Sequence, residues 1–320
     1  MWRAMRARHQ LQAVCDRTSA IRPGDILGAT VLRNEIVRLP YFLAHHRALG
    51  VRHFLMVDNA STDGSAEYLR DQPDVSLWHS GEGYKQSRFG MDWLCWLLMR
   101  HGHGHWCLTV DADELFIYPY WDSRDLRALT AWLDRSGAEA FPAMMLDLYP
   151  KGPLAGQSYD PGSDPTEILQ WFDAGNHVIR RRECMGNLWI QGGVRARVFF
   201  AVDPRRAPTL TKLPLVRWNR RFAYVNSTHS ALPPRLNRVY DAQGGEAGSG
   251  LLLHSKFLPG VVERAREEKA RREHFRQAEL YDDYYDRLAA NPDLWCPASS
   301  RLGGWRRLEA MGLMSRGGWI

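Results

Sequence analysis

Asp111 and Asp113 stand one residue apart, directly after the apolar run Trp106 to Val110. In an extended segment the side chains of residues i and i+2 point the same way. Two carboxylates that close repel each other unless a cation lies between them or one holds a proton. Carboxylate oxygens suit Mg2+ or Mn2+, which keep coordination positions open for substrate phosphates. In an open loop the same tripeptide would be a solvated turn. At the end of a buried strand it reads as a metal and phosphate anchor.

The elements that must position this pair alternate. Ile26 to Leu32 has strand length and composition. Leu39, Phe42, Leu43, His46 and Leu49 recur at helical spacing, with Pro40 in the first turn and Gly50 as the stop. Val51 to Val57 and Val75 to His79 read as strands, separated by the turn Ser61-Thr62-Asp63-Gly64-Ser65 and a short helix Ala66 to Arg70. Gln86 to Arg100 reads as a helix, and Trp106 to Val110 as a fourth strand. Such alternation argues for an α/β fold with a mostly parallel, Rossmann-like sheet flanked by helices. Ligands then bind beyond the carboxyl ends of the strands. Arg33-Asn34-Glu35, Asp58-Asn59, Gly81-Glu82-Gly83 and Asp111-Ala112-Asp113 are expected to line that one edge.

The second half is less regular. Residues 150–165, rich in Gly, Pro, Asp and Ser, read as a long loop, a common form of functional lid or insertion. Ile190 to Ala201 reads as a strand, residues 241–250 as a Gly-rich loop, and Val261 to Ala290 as a long charged helix with Glu267–Arg271 and Glu268–Arg272 pairs. The expected organisation is a basic N-terminal arm over 1–24, a catalytic domain over 25–258, and a helical C-terminal extension over 259–320. Within the domain, about 25–120 would hold the nucleotide and about 121–258 the acceptor.

Composition narrows the classes of partner. Hydrophobic residues make up 45% and charged residues 24%, which fits a chain able to bury a core. A formal charge of +6 favours anionic partners, but the basic residues are dispersed, which favours phosphorylated small molecules over nucleic acid. The five cysteines are odd in number and form no CxxC, so they read as reduced thiols of a cytoplasmic protein. No apolar run is long enough to span a bilayer. Trp2, Met5, Leu11 and Val14 lie among arginines, so the N-terminus reads either as a solvated basic arm or as a peripheral contact with the inner membrane face.

Three segments then carry a resemblance. Val-Leu-Arg-Asn-Glu at 31–35, Val-Asp-Asn-Ala-Ser-Thr-Asp-Gly-Ser at 57–65 and Val-Asp-Ala-Asp-Glu-Leu-Phe at 110–116 resemble, in that order, the family 2-type glycosyltransferases of GT-A fold. The likeness is to a bacterial branch in which a run such as His45-His46-Arg47-Ala48-Leu49-Gly50-Val51 precedes the second segment. It covers residues 25 to 120 and continues more weakly through Gln191 to Arg195 and Leu253 to Phe257. The resemblance implies sugar transfer from a nucleotide-sugar, UDP-linked, to a glycan or lipid-linked acceptor, with Mn2+ or Mg2+ and inversion at the sugar carbon. It implies that Asn34 and Glu35 lie beside the nucleotide, that Asp58 bonds the base, and that Asp63 orders its turn. Asp111 would meet ribose or metal, and Asp113 the metal, with His254 completing the metal shell. Gly192 and Gly193 would lie near the donor sugar, and Lys256 would reach the diphosphate. Apart from the resemblance, Arg88 and Lys85 carry charges that could supplement a cation at a diphosphate, or could simply be solvated helix charges.

The family's base is an Asp in a Glu-Asp pair, and no such pair follows Gly193. Asp147, Asp173 and His229 are the candidates in its place. The stretch His101-Gly102-His103-Gly104-His105 reads as a connection rather than a metal site. Trp171, Trp189 and Trp218 could stack on sugars or pack in the core. A dehalogenase-type phosphohydrolase would carry its DxD after the first strand. A sugar-phosphate nucleotidyltransferase would carry a Gly-rich basic loop after it, and residues 31–35 contain no glycine. That nucleotidyltransferase and a non-catalytic glycan-binding protein remain the alternatives.

Overall fold

The computed structural model describes residues 2–240, 247–271 and 282–320. Among them, one nine-stranded sheet is built from β1 (Gln12–Cys15), β2 (Ile26–Leu32), β3 (Val51–Asp58), β4 (Val75–His79), β5 (Trp106–Thr109), β6 (Glu114–Ile117), β7 (Ala140–Asp147), β11 (Thr211–Arg217) and β14 (Gly250–His254). Six short strands lie outside it: β8 (Trp171–Phe172), β9 (Val178–Arg182), β10 (Asn187–Gln191), β12 (Ala223–Tyr224), β13 (Ala231–Leu232) and β15 (Ser300–Arg301). Among the described residues the helices are α1 (Trp2–Ala7), α2 (Leu39–Ala48), α3 (Ser65–Arg70), α4 (Met91–His101), α5 (Leu126–Arg135), α6 (Gly193–Val198), α7 (Val261–Arg271), α8 (Asp282–Ala289) and α9 (Trp305–Ala310).

Across the sheet the order is β1-β4-β3-β2-β5-β11-β7-β14-β6. Strands β4, β3, β2 and β5 pair in parallel, as do β7 and β14. Antiparallel β11 joins the two groups, and β1 and β6 close the edges antiparallel. Six strands (β2, β3, β4, β5, β7 and β14) therefore point the same way, and their carboxyl ends share one edge. This is the mostly parallel α/β sheet that the alternating pattern requires.

Every residue of β2 is buried, because helices cover both faces. The side chains divide with period two. Leu27, Ala29, Val31, Leu55 and Val57 pack with Trp93, Leu94 and Leu98 of α4 and Ala4 and Ala7 of α1. Ile26, Leu32, Phe54 and Met56 pack with Leu39, Phe42 and Leu43 of α2, Leu69 of α3, and Leu126 and Leu129 of α5. Truncating one of these fully buried leucines to Ala would cost about 2–5 kcal/mol.

The structure departs from the sequence reading in several places. Helix α4 starts at Met91, not Gln86, because Arg88, Phe89 and Gly90 all have positive φ, which a right-handed helix cannot hold. At Gly90 a Cβ would lie 2.7 Å from the Val31 side chain, so this close approach requires glycine. The strand expected over Ile190 to Ala201 ends at Gln191. Gly192 (φ 152°) and Gly193 (φ 66°) turn the chain into α6, and the alternating arginines there had the look of a period-two strand.

Residues 2–24 are attached to the sheet: β1 pairs with β4, Ala4 and Ala7 are buried, and Arg3 meets Asp92. The segment 300–320 folds back, placing Trp319 against Tyr118, Tyr120 and Trp132. The reading of one long helix over 261–290 and of a loop over 241–250 falls partly outside the described residues. No described helix is long and apolar enough to cross a membrane.

Candidate active site

The carboxyl edge collects the expected residues. Asp58 ends β3, His79 ends β4, Asp147 ends β7 and His254 ends β14. Beside β5, Val110 still bonds to β2 through its N–H to Ala29 O, at 3.2 Å. The next residue, Asp111, is the first free of the sheet.

Asp111-Ala112-Asp113 is a tight turn, not the extended segment the spacing suggested. Glu114 N–H donates to Asp111 O, and Asp111 N–H donates back to Glu114 Oε2, each at 3.0 Å. The two carboxylates therefore diverge. His45 and His46 brace the strand that follows: His45 Nε2 donates to Phe116 O at 2.9 Å, and Phe116 N–H donates to His46 Nε2 at 3.4 Å.

Asp111 faces Lys212, whose Nζ lies 2.8 Å from Asp111 Oδ2 and 3.0 Å from Glu114 Oε1. The sheet register creates this contact. Leu215 of β11 stands opposite Leu108 of β5, so three residues onward the antiparallel chains bring Lys212 beside Asp111. Lys212 and Glu114 are buried. Burial raises the Glu114 carboxyl, Lys212 opposes that and Asp111 adds to it, and it settles at about 7. Burial opposes charge on Lys212 too, but the two carboxylates outweigh it and hold the ammonium form.

Asp113 faces His254. His254 Nε2 donates to Asp113 Oδ2 at 3.0 Å, and Nδ1 donates to Asp147 Oδ1 at 2.5 Å. Asp147 Oδ2 accepts from Arg195 Nε of α6 at 2.7 Å. Parallel pairing places His254 opposite Asp147, which makes this chain of contacts a product of register. Burial disfavours an imidazolium, but Asp113 and Asp147 outweigh it and raise His254 to about 9. Burial would likewise raise Asp147, but Arg195 and His254 hold it down at about 2.

Further cations gather around Asp113. Arg38 Nε and Nη2 donate to Ser255 Oγ and O at 3.2 and 3.0 Å, and its Nη1 lies 2.6 Å from Glu35 Oε2. Arg264 of α7 reaches the same carboxylate at 3.3 Å. Lys256 sits close enough for Asp113 to favour its charge, although burial lowers it, and it makes no hydrogen bond or ion pair among the described residues.

At the ends of β3 and β4, Asp58 is buried and accepts from Ser61 N–H at 3.2 Å and from His79 Nδ1 at 3.2 Å. Asn34 (φ 53°) bonds across to the second loop, accepting from Thr62 N–H at 2.8 Å and donating its own N–H to Ser61 Oγ at 2.9 Å. Asp63 accepts from Ile36 N–H at 3.0 Å and Ser65 N–H at 3.0 Å. These bonds lock the loops after β2 and β3 together.

Other expected residues have different employment. Asp173 is held by Arg197, at 2.7 and 3.0 Å, and by Tyr149 Oη. His229 Nδ1 donates to Thr211 O at 2.6 Å, and burial lowers the ring to about 3, so it stays neutral. Asp147 and Asp173 thus have their carboxylate oxygens engaged by other side chains, whereas the neutral His229, with Nδ1 donating, keeps its Nε2 lone pair. Arg88 is committed to Asp92, at 2.5 Å, and to Tyr224 O. Gly193 N–H donates to Asn176 Oδ1 at 2.9 Å, and a Cβ on Gly192 would lie 2.6 Å from Asn176 O. Trp218 is core, while Trp171 and Trp189 are partly exposed.

Sequence reasoning missed Lys212, Arg38 and Arg264 as site components, and met Arg195 only as the end of the Gln191 to Arg195 segment. Only Arg38 left a local signal, its i,i+3 spacing from Glu35. Asp111, Asp113 and His254 do not close around one point, and no group of three His, Cys, Asp or Glu side chains among the described residues is arranged for a metal. The donors that do fit one are Asp113 and His254. A carboxylate behind Nδ1, here Asp147, is how metal-binding histidines are oriented.

No family model matches the sequence, and no curated protein matches it. Among solved structures, 53 chains match. One is a 4-diphosphocytidyl-2C-methyl-D-erythritol synthase, 15% identical, covering 44% of this chain and 68% of that one, with a TM-score of 0.26. Another, from Bacillus anthracis, is provisionally described as a glucose-1-phosphate thymidylyltransferase and was solved with sucrose. It is 9% identical and covers 82% of this chain and 83% of that one, with a TM-score of 0.30. Likeness at this level carries no functional argument, which rests on the site.

Proposed function

We propose that this chain is a glycosyltransferase moving a sugar from a nucleoside-diphosphate donor, UDP-linked, to a hydroxyl of a glycan or lipid-linked acceptor. One observation carries the reading: Asp113, His254 and Asp147 from three strand ends meet at the carboxyl edge of the sheet, ringed by Arg38, Arg195, Lys256 and Arg264. The leaving group in such a transfer is a diphosphate, and charge grows on it as the sugar bond breaks. Prearranged cations stabilise that charge without reorganising.

In this reading Lys256, free of other partners, contacts the diphosphate. Arg38 and Arg264 act through Glu35 and Ser255, fixing the loop after β14. Asp58 meets the base, and the locked loops at 33–35 and 58–65 form the nucleotide wall. Mn2+ or Mg2+ would be held by Asp113 and His254, and would supply Lewis-acid stabilisation of the departing diphosphate. Asp147 orients His254, and Lys212 neutralises Asp111 so that its exposed carboxylate can take a ribose hydroxyl.

Titration calorimetry with UDP, with and without Mn2+, tests the binding half. Metal-dependent binding that Asp113→Ala abolishes is expected, and binding indifferent to both rejects the site. Turnover on a donor panel tests the chemistry. Release of nucleoside diphosphate supports transfer, release of pyrophosphate supports a nucleotidyltransferase, and binding of glycan without release of either indicates a carbohydrate-binding protein.

A further inference from the structure

The hairpin β9–β10 presents a strand whose five residues, Val178-Ile179-Arg180-Arg181-Arg182, are all exposed. Ile179 is 60% and Val178 48% exposed, large values for aliphatic side chains in a strand. A second loop joins this surface. Gln191, paired with Val178, donates its amide to Arg205 O and Ala207 O, which brings the exposed segment Val202 to Arg206 alongside. Val202 is 92% exposed. Side chains alternate along β9, so Val178, Arg180 and Arg182 lie on one face of the ribbon and Ile179 and Arg181 on the other, and both sets border its open edge, with Val202, Arg205 and Arg206 on the neighbouring loop. The acids on it are Glu183 and Asp203, and Asp203 faces Arg205 at 3.9 Å. Arg182 stacks over Trp189 at 3.6 Å.

An edge strand protects itself from pairing with charged side chains, which accounts for the arginines. It does not account for two adjacent exposed aliphatic residues beside them. We propose that this hairpin and the loop 202–206 form a docking surface for an anionic phospholipid bilayer. The ribbon meets the bilayer by its open edge, with basic side chains against the headgroups, Val178 and Ile179 entering the interface from its two faces, and Val202 entering from the loop. Three consecutive arginines on the open edge disfavour adding a protein strand there. The position fits a role at the site: Val178 lies two residues beyond Asn176, which bonds Gly193, and Arg195 two residues further meets Asp147. Through these contacts the hairpin is joined to the proposed site, to which a lipid-linked acceptor would come. Helix α1 also exposes Trp2 and Met5, but its Arg3 is taken by Asp92 and Arg6 covers Trp2.

Co-sedimentation with vesicles decides the matter independently of any transferase activity. The full-length protein is expected to bind vesicles of equal parts phosphatidylcholine and phosphatidylglycerol, to ignore pure phosphatidylcholine, and to release with salt. Val178→Asp with Ile179→Asp should weaken binding about tenfold or more. Arg180→Gln with Arg181→Gln, which keeps the strand, should weaken it about as much. Circular dichroism and melting should match the wild type in both. No binding to anionic vesicles, which would leave an acidic protein as the partner, overturns the proposal. So does binding that both variants retain.

Discussion

Lys212 Nζ lies 2.8 Å from Asp111 Oδ2 and 3.0 Å from Glu114 Oε1, so an ammonium group carried by the chain stands where DxD chemistry leads one to expect a metal. Glu114 is buried and cannot turn to water if that charge is lost. Lys212→Met should therefore destabilise the fold by about 3 kcal/mol, lowering the melting temperature by roughly 5–10 °C. Adding Glu114→Gln should recover part of the loss. A melting curve unchanged in Lys212→Met would mean that the pair has no structural weight.

Asp147 bonds His254 with one carboxylate oxygen and Arg195 with the other. Asp147→Asn keeps the shape but loses the carboxylate that fixes the imidazole, so metal-dependent UDP affinity should fall about 10- to 100-fold. Combined with His254→Ala, it should add little beyond the single His254 change. Calorimetry on the two single variants and the double variant closes the cycle, and additive losses would contradict an orienting role.

Asp173 belongs to a contact set with Arg197 and Tyr149 that ties β8 to α6. Asp173→Asn should lower the melting temperature while turnover per folded molecule stays within about threefold, because general-base loss is typically worth 10²–10⁴. A thousandfold fall in kcat with unchanged melting would restore Asp173 as the base.

His229 sets a pH limit. Its folded value is about 3 against an ordinary 6.5, so the unfolded chain takes up this proton first as pH falls. The stability it contributes is complete above pH 6.5 and is lost progressively from there towards 3, with a slope of up to about 1.4 kcal/mol per pH unit. Denaturant titrations across that range should show a shallower acid limb in His229→Gln. Equal slopes in the two proteins would mean that the ring charges in the fold.

Gly192 occupies φ 152°, with Asn176 O where a Cβ would stand. Gly192→Ala should cost about 1–3 kcal/mol and loosen the Asn176–Gly193 clasp, raising KM for donor more than it lowers kcat. Wild-type melting and kinetics in that variant would show that the loop tolerates the side chain.

Alternating apolar runs and helical spacing by themselves determined the parallel half of the sheet, because burial on both faces imposes an apolar strand and leaves polar residues only where it ends. That is why Asp58 and Asp111 could be placed on one edge from local pattern alone. The start of α4 and the end of β10 were not legible, since backbone conformations at Arg88, Phe89 and Gly192 depend on neighbours distant in the chain. The partners were decided by tertiary structure. Lys212 meets Asp111 through the antiparallel register of β11 with β5, and His254 meets Asp147 through the parallel register of β14 with β7. A one-residue change in either register would turn those side chains to the other face. The sequence by itself therefore determined that carboxylates gather at this edge. Only the folded sheet decided that a lysine neutralises one and a histidine bridges two others, because contacts across a hundred residues leave no local periodicity to read.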